Sequence, residues 1–149
     1  MLTETVVIDR PLARVYQAFR DLDYWCKVLP DVLAVETLYD DGAHQEFLMT
    51  VERPNGPETI RGARFCVQDE QIELFQPNPP PGFARMVGRW NFELHPNGGT
   101  LVTARRWFEL KPSAIQGERA AAERQAADHL SRYLRTNLAR FREGLEAES

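Results

Sequence analysis

The 149-residue sequence predicts an α+β domain: a curved seven-stranded antiparallel sheet wrapped around one long C-terminal helix, with two short helices after the first strand. Three observations carry this prediction. Segments rich in β-branched and aromatic residues follow one another from Val32 to Leu110, divided by Gly-, Pro- and Asn-rich turns. The stretch after Gly117 lacks proline and is dense in Ala, Arg, Glu and Leu, which are strong helix formers. Helical spacing otherwise occurs only near the N-terminus.

Thr3–Asp9 (TETVVID) is rich in β-branched residues and stops at Arg10–Pro11, so it reads as the first strand. Asp9 can cap the next element, expected to be a helix with Pro11 near its first position. Pro11–Trp25 has apolar residues at 12, 15, 16, 19 and 22, close to helical spacing, and a short helical piece continues toward Pro30. Val32–Asp40 is a strand that ends in a turn at DDG. His44–Arg53 puts Phe47, Met49 and Val51 on one face. Pro54–Pro57 is a turn, and Glu58–Val67 and Gln71–Gln76 are strands. Pro77–Phe83 (PNPPPGF) can join neither a helix nor a ladder, so it is a loop. Met86–Leu94 and Leu101–Leu110 form a hairpin across HPNGG. On the last helix Leu130, Leu134, Leu138, Phe141 and Leu145 make one amphipathic stripe. With no internal repeat and no compositional break, residues 1–149 read as a single domain.

Composition narrows the function classes. Hydrophobic residues at 43% and charged residues at 27% fit an ordinary globular protein. The net charge of −4 argues against nucleic acid or an anionic membrane as a partner. Cys26 and Cys66 alone suggest neither a disulfide scaffold nor a zinc site, and they favour a reducing, cytoplasmic setting. There is no leader-like N-terminus and no apolar run long enough to span a membrane. No Ser–His–Asp order, metal-ligand spacing or phosphate-binding Gly loop stands out.

The predicted elements imply a cavity. Seven strands at about 4.8 Å make a sheet roughly 33 Å wide. One helix with its side chains is roughly 10–12 Å across and cannot cover that face. The sheet must curl, leaving a space to be filled by side chains or by a ligand.

Alternation assigns the faces. Met86, Gly88, Trp90, Phe92 and Leu94 share the apolar, inward face of their strand. Val102, Ala104, Arg106, Phe108 and Leu110 do so on the next, which sends Arg105 and Trp107 outward. Ile60, Gly62, Arg64 and Cys66 share a face, where glycine leaves room for a ligand. His44 and His95 lie beside turns, and His129 borders the helix's apolar stripe. Cys26 reads as packing beside Trp25, and Cys66 as a small buried residue.

Three segments resemble the single-domain aromatase/cyclases of type II aromatic polyketide pathways, within the START/Bet v 1-like superfamily (SRPBCC). They are DLDYWCKVLPDVLAVETLYDDG, RWNFELHPNGGTLVTARRWFELKP and HLSRYLRTNLARFREGLE, the last with Arg135 and Asn137 at the family's Arg–x–Asn spacing. The resemblance implies the helix-grip (Bet v 1-like) fold. It also implies an interior cavity in which a linear poly-β-ketone, delivered in some cases by an acyl carrier protein, undergoes regiospecific aldol closure and dehydration without a cofactor. The family's pocket arginine falls on Cys66 here, and Arg64 lies two residues earlier on the same face. A tyrosine expected seven residues after Trp25 is replaced by Val32.

The chemistry explains the residue types. A methylene between two carbonyls is acidic; deprotonation gives an enolate and aldol addition an alkoxide, and a fixed guanidinium in a dry site stabilises either. Arg64 and Arg106 are therefore the candidate catalytic residues. Trp25, Phe47, Met49, Gly62, Cys66, Met86, Trp90, Phe92, Phe108, Leu130 and Leu134 are the candidate substrate-binding wall. A second reading is a non-catalytic START-like protein that carries or sequesters a hydrophobic polyketide or aromatic product, as in self-resistance.

Overall fold

The computed structural model describes residues 1–148. Seven strands form one antiparallel sheet: β1 (Leu2–Ile8), β2 (Val32–Asp40), β3 (His44–Arg53), β4 (Gly56–Val67), β5 (Gln71–Phe75), β6 (Phe83–Leu94) and β7 (Thr100–Leu110). Helices α1 (Leu12–Arg20) and α2 (Leu22–Val28) follow β1, and α3 (Arg119–Glu146) closes the chain. The strand order is β1-β7-β6-β5-β4-β3-β2, so the meander from β2 to β7 is completed by β1 pairing with the last strand. This is the helix-grip arrangement expected from the sequence. No described helix is long and apolar enough to cross a membrane.

Local chemistry sets the boundaries. The helical pattern of residues 11–28 breaks at Asp21, whose backbone is extended (φ −75°, ψ 103°). Its carboxylate accepts the N–H of Asp23 at 3.0 Å and so caps α2. The β2–β3 turn is held by Asp41, which accepts the N–H groups of Ala43 (3.0 Å) and His44 (2.6 Å). β6 begins inside the stretch read as a loop. Gly82, at φ +89°, lets the chain reverse, and Phe83 then pairs with Leu110 across an irregularity before Arg85.

The core lies between the concave sheet face and the helices. Phe19 stacks on Phe141 with centroids 4.0 Å apart and meets Phe92 edge-on at 5.4 Å. Leu134, Leu138, Phe141 and Leu145 are the buried positions of α3, in line with the expected stripe. Two expectations fail. Leu94 shares the inward parity of Trp90 but is 74% exposed, because β6 ends there and the sheet face below it is no longer covered. Cys26 points into solvent, one helical position away from the buried Trp25.

Candidate functional site

The described residues line a cavity of about 530 Å³ between the concave sheet and the middle of α3. Its floor comes from Phe47 and Met49 on β3, Ile60 and Arg64 on β4, Leu74 on β5, Met86 and Trp90 on β6, and Arg106 on β7. Leu22 and Trp25 of α2 close one side. His129, Leu130, Tyr133, Leu134 and Asn137 of α3 form the roof. The rim is built by Arg53, Asn55, Gly56, Pro57 and Glu58 around the β3–β4 turn, by Pro80 and Pro81 of the β5–β6 connection and by Phe83 at the start of β6. In this antiparallel meander both connections, and the start of α3, fall at the same end of the sheet.

The two candidate arginines occupy one cross-strand row. Arg64 pairs with Leu74, Leu74 with Gly88, and Gly88 with Arg106. Three strand spacings put their Cα atoms about 14 Å apart on one inward face. Two tryptophans bridge them: Arg64 lies 5.7 Å from the Trp25 ring, Trp25 meets Trp90 edge-on at 5.5 Å, and Arg106 lies 4.7 Å from Trp90.

Their hydrogen bonding differs. Arg64, 3% exposed, donates from Nε to Gln45 Oε1 (2.9 Å), from Nη1 to the Phe19 carbonyl (2.9 Å) and from Nη2 to the Arg20 carbonyl (2.7 Å). Those carbonyls end α1, where helix groups lack internal partners and a cation is favoured. Trp25 Nε1 donates to the same Phe19 carbonyl at 2.9 Å. Arg64 therefore ties the end of α1 to the sheet. Arg106, 8% exposed, spends one donor on the Arg105 carbonyl at 2.9 Å. Its guanidinium lies over Gly88, where a side chain would collide with it.

No described carboxylate forms an ion pair with either arginine. Burial pulls both guanidiniums down to about 10, so both stay cationic at neutral pH. A buried cation lacking an anion on the protein is a binding element for electron-rich oxygen.

Nine of the thirteen residues singled out from the sequence meet at the cavity: Arg64, Arg106, Trp25, Phe47, Met49, Met86, Trp90, Leu130 and Leu134. Four do not line it. The Phe47 ring covers Gly62, with Cε1 only 2.8 Å from where a Cβ would stand. Cys66 is buried, 3.6 Å from Gln45 Oε1, and burial pushes its thiol up, away from nucleophilic use. Phe92 packs into the core against Tyr16 and Phe19. Phe108 packs edge-on against Phe83 at 5.7 Å.

Gln76, Tyr133 and Asn137 also line the cavity but were not among the predicted wall residues, and His129 is a wall residue rather than a plain boundary position. The positions 129, 133 and 137 recur every fourth residue beside the apolar stripe, a signal present in the sequence.

A curved sheet that grips a long helix around an interior cavity is the architecture of a helix-grip domain. The chain matches, over residues 8–135, the family model described as polyketide cyclase / dehydrase and lipid transport, and it belongs to that family. Similar solved structures include the di-domain ARO/CYC BexL from the BE-7585A biosynthetic pathway, at 24% identity and TM-score 0.87 over 99% of this chain and 50% of that one. StfQ from the steffimycin pathway is 22% identical, with TM-score 0.85 over 95% of this chain and 49% of that one. The chain thus spans about half the length of these di-domain proteins. The Zhui aromatase/cyclase from Streptomyces sp. R1128 is 16% identical, with TM-score 0.78 over 97% of this chain and 92% of that one. At these identities the likeness is one of fold. Among curated proteins, none matches the chain by sequence.

Proposed function

We propose that this protein is a polyketide aromatase/cyclase that holds a poly-β-ketone in its cavity and directs aldol ring closure and dehydration. The observation that carries this reading is Arg106: buried, cationic, seated on Trp90, and with a single donor engaged by the protein. Its remaining N–H groups can polarise a ketone, acidify the adjacent methylene and hold the resulting enolate or alkoxide. Arg64 supplies a second positive charge along the same row, with its orientation fixed by α1. Trp25, Trp90, Phe47 and Met49 exclude water and restrict how a flexible chain folds back on itself. Tyr133 and His129 stand on the opposite wall as proton-transfer candidates. Membership of the family supports the substrate class, and delivery by an acyl carrier protein fits it.

A second reading, a carrier or sequestering protein for an aromatic product, is favoured by one observation. The three Arg64 hydrogen bonds all go to the protein's own framework. Co-expression with a minimal polyketide synthase separates the two. A product with new ring regiochemistry in the presence of this chain supports the cyclase. An unchanged product mixture that co-purifies with the protein supports the carrier.

A further inference from the structure

Among the described residues, two buried side-chain polar atoms lack a hydrogen-bond partner: Gln76 Oε1 and Arg89 Nε. Arg89 faces away from the cavity, its guanidinium 5.4 Å from Trp107 on the outer side of the sheet. Gln76 lines the cavity and is 9% exposed. It follows β5 immediately, continuing the inward parity of Ile72 and Leu74, and its backbone N–H reaches the Met86 carbonyl at 3.4 Å. An apolar residue there would escape the desolvation cost that an unpaired amide oxygen carries. Packing gives no reason for glutamine at this point, whereas a ligand does.

The chemistry of the wall says what kind of ligand group is wanted. Arginine donates hydrogen bonds and accepts none. Arg64 and Arg106 therefore serve ketone, enolate or phenolate oxygens and cannot pair a hydroxyl proton; acceptors stand on the helix side in His129, Tyr133 and Asn137 and on the sheet side in Gln76, whose Oε1 has no partner on the protein. An amide oxygen is the complementary element, and the last torsion of glutamine is soft enough to turn either end of the amide toward the cavity. We propose that Gln76 is a specificity-determining residue that accepts a hydrogen bond from a ligand hydroxyl, an enol or a phenol. It thereby favours the enolised or aromatised form over the keto or O-alkylated one. The inference rests on the cavity's binding a polyketide or aromatic ligand. A site with an acceptor aimed at a hydroxyl discriminates against the analogue lacking it, because the acceptor is then left unpaired.

The probes are 2-naphthol and 2-methoxynaphthalene, which share a ring system and differ in the hydroxyl proton. Titrated by fluorescence, the wild-type protein binds 2-naphthol roughly tenfold more tightly. Gln76→Met retains binding of 2-methoxynaphthalene and loses most of the preference, while its Tm is equal to or above wild type because the unpaired acceptor is gone. A measurement on the unmutated protein stands beside it: the Gln76 side-chain amide NMR signals move on adding 2-naphthol and stay in place with 2-methoxynaphthalene. A preference that survives Gln76→Met, or Gln76 signals indifferent to 2-naphthol, overturns the assignment and leaves the cavity reading intact. If the wild-type protein binds neither probe, the cavity reading fails and this inference falls with it.

Discussion

The Arg106 guanidinium lies 4.7 Å from the centre of the Trp90 ring and directly above Gly88, its partner across the β6–β7 ladder. The three residues act as one device. Gly88 leaves the space, Trp90 supplies the platform, and Arg106 fills the space with charge. A Cβ at position 88 would stand 2.7 Å from Arg106 Cζ.

Gly88→Ala therefore lifts the guanidinium off its seat. The obstructing atoms are the far end of a flexible side chain, so the fold survives, with stability within about 1 kcal/mol of wild type. Ligand affinity and product selectivity fall together. Thermal melting beside a ligand titration checks both halves.

Arg64 and Arg106 separate by their effect on stability. Arg64→Met leaves the end of α1 and Gln45 short of their strongest donor, at a cost of about 3 kcal/mol. That lowers Tm by roughly 10 °C. Arg106→Met removes one hydrogen bond and one cation–π contact but also a desolvated charge, so stability changes by about 1 kcal/mol or less. Equal losses of Tm in the two variants would contradict this division.

Gly62→Ala reshapes the cavity from below. The new methyl meets the Phe47 ring, and a shift of that ring changes the cavity it lines. Binding of large polycyclic ligands weakens while that of a single-ring ligand is retained, as competitive titration would read out.

Acid sensitivity traces to the β2–β3 turn. The His44 backbone N–H, with help from Ala43 and Tyr39, holds the exposed Asp41 carboxyl down at about 2 against an ordinary 3.8. A depressed carboxylate contributes its stabilisation above the unfolded value and loses it as pH falls through the folded one. The Tm difference between wild type and Asp41→Asn is thus full near pH 5 and closes toward pH 2.

Periodicity made the sheet and the inward placement of Arg106, Trp90 and Arg64 legible from the residues alone. Strand alternation is strict wherever one face is buried. It failed at Leu94 because parity says which side a residue faces and not whether anything covers that side. The use of Arg64 was hidden for a different reason. Two of its three partners are main-chain carbonyls at the end of a helix more than 40 residues earlier, as with Phe19 (separation 45), and no side-chain pattern marks them. Gln76 was equally hidden, being a polar residue before a proline, where a turn position and a cavity wall read alike. His129, Tyr133 and Asn137 were readable, but their stripe looks like the ordinary flank of an amphipathic helix until the sheet is seen to curve away beneath it.

The most direct test of the account is the product profile of Arg106→Met co-expressed with a minimal polyketide synthase, alongside wild type and a strain lacking this protein. The variant is expected to fold with near-wild-type Tm, and its products to revert to those of the strain without the protein. A folded Arg106→Met variant that still gives the wild-type ring pattern would contradict it.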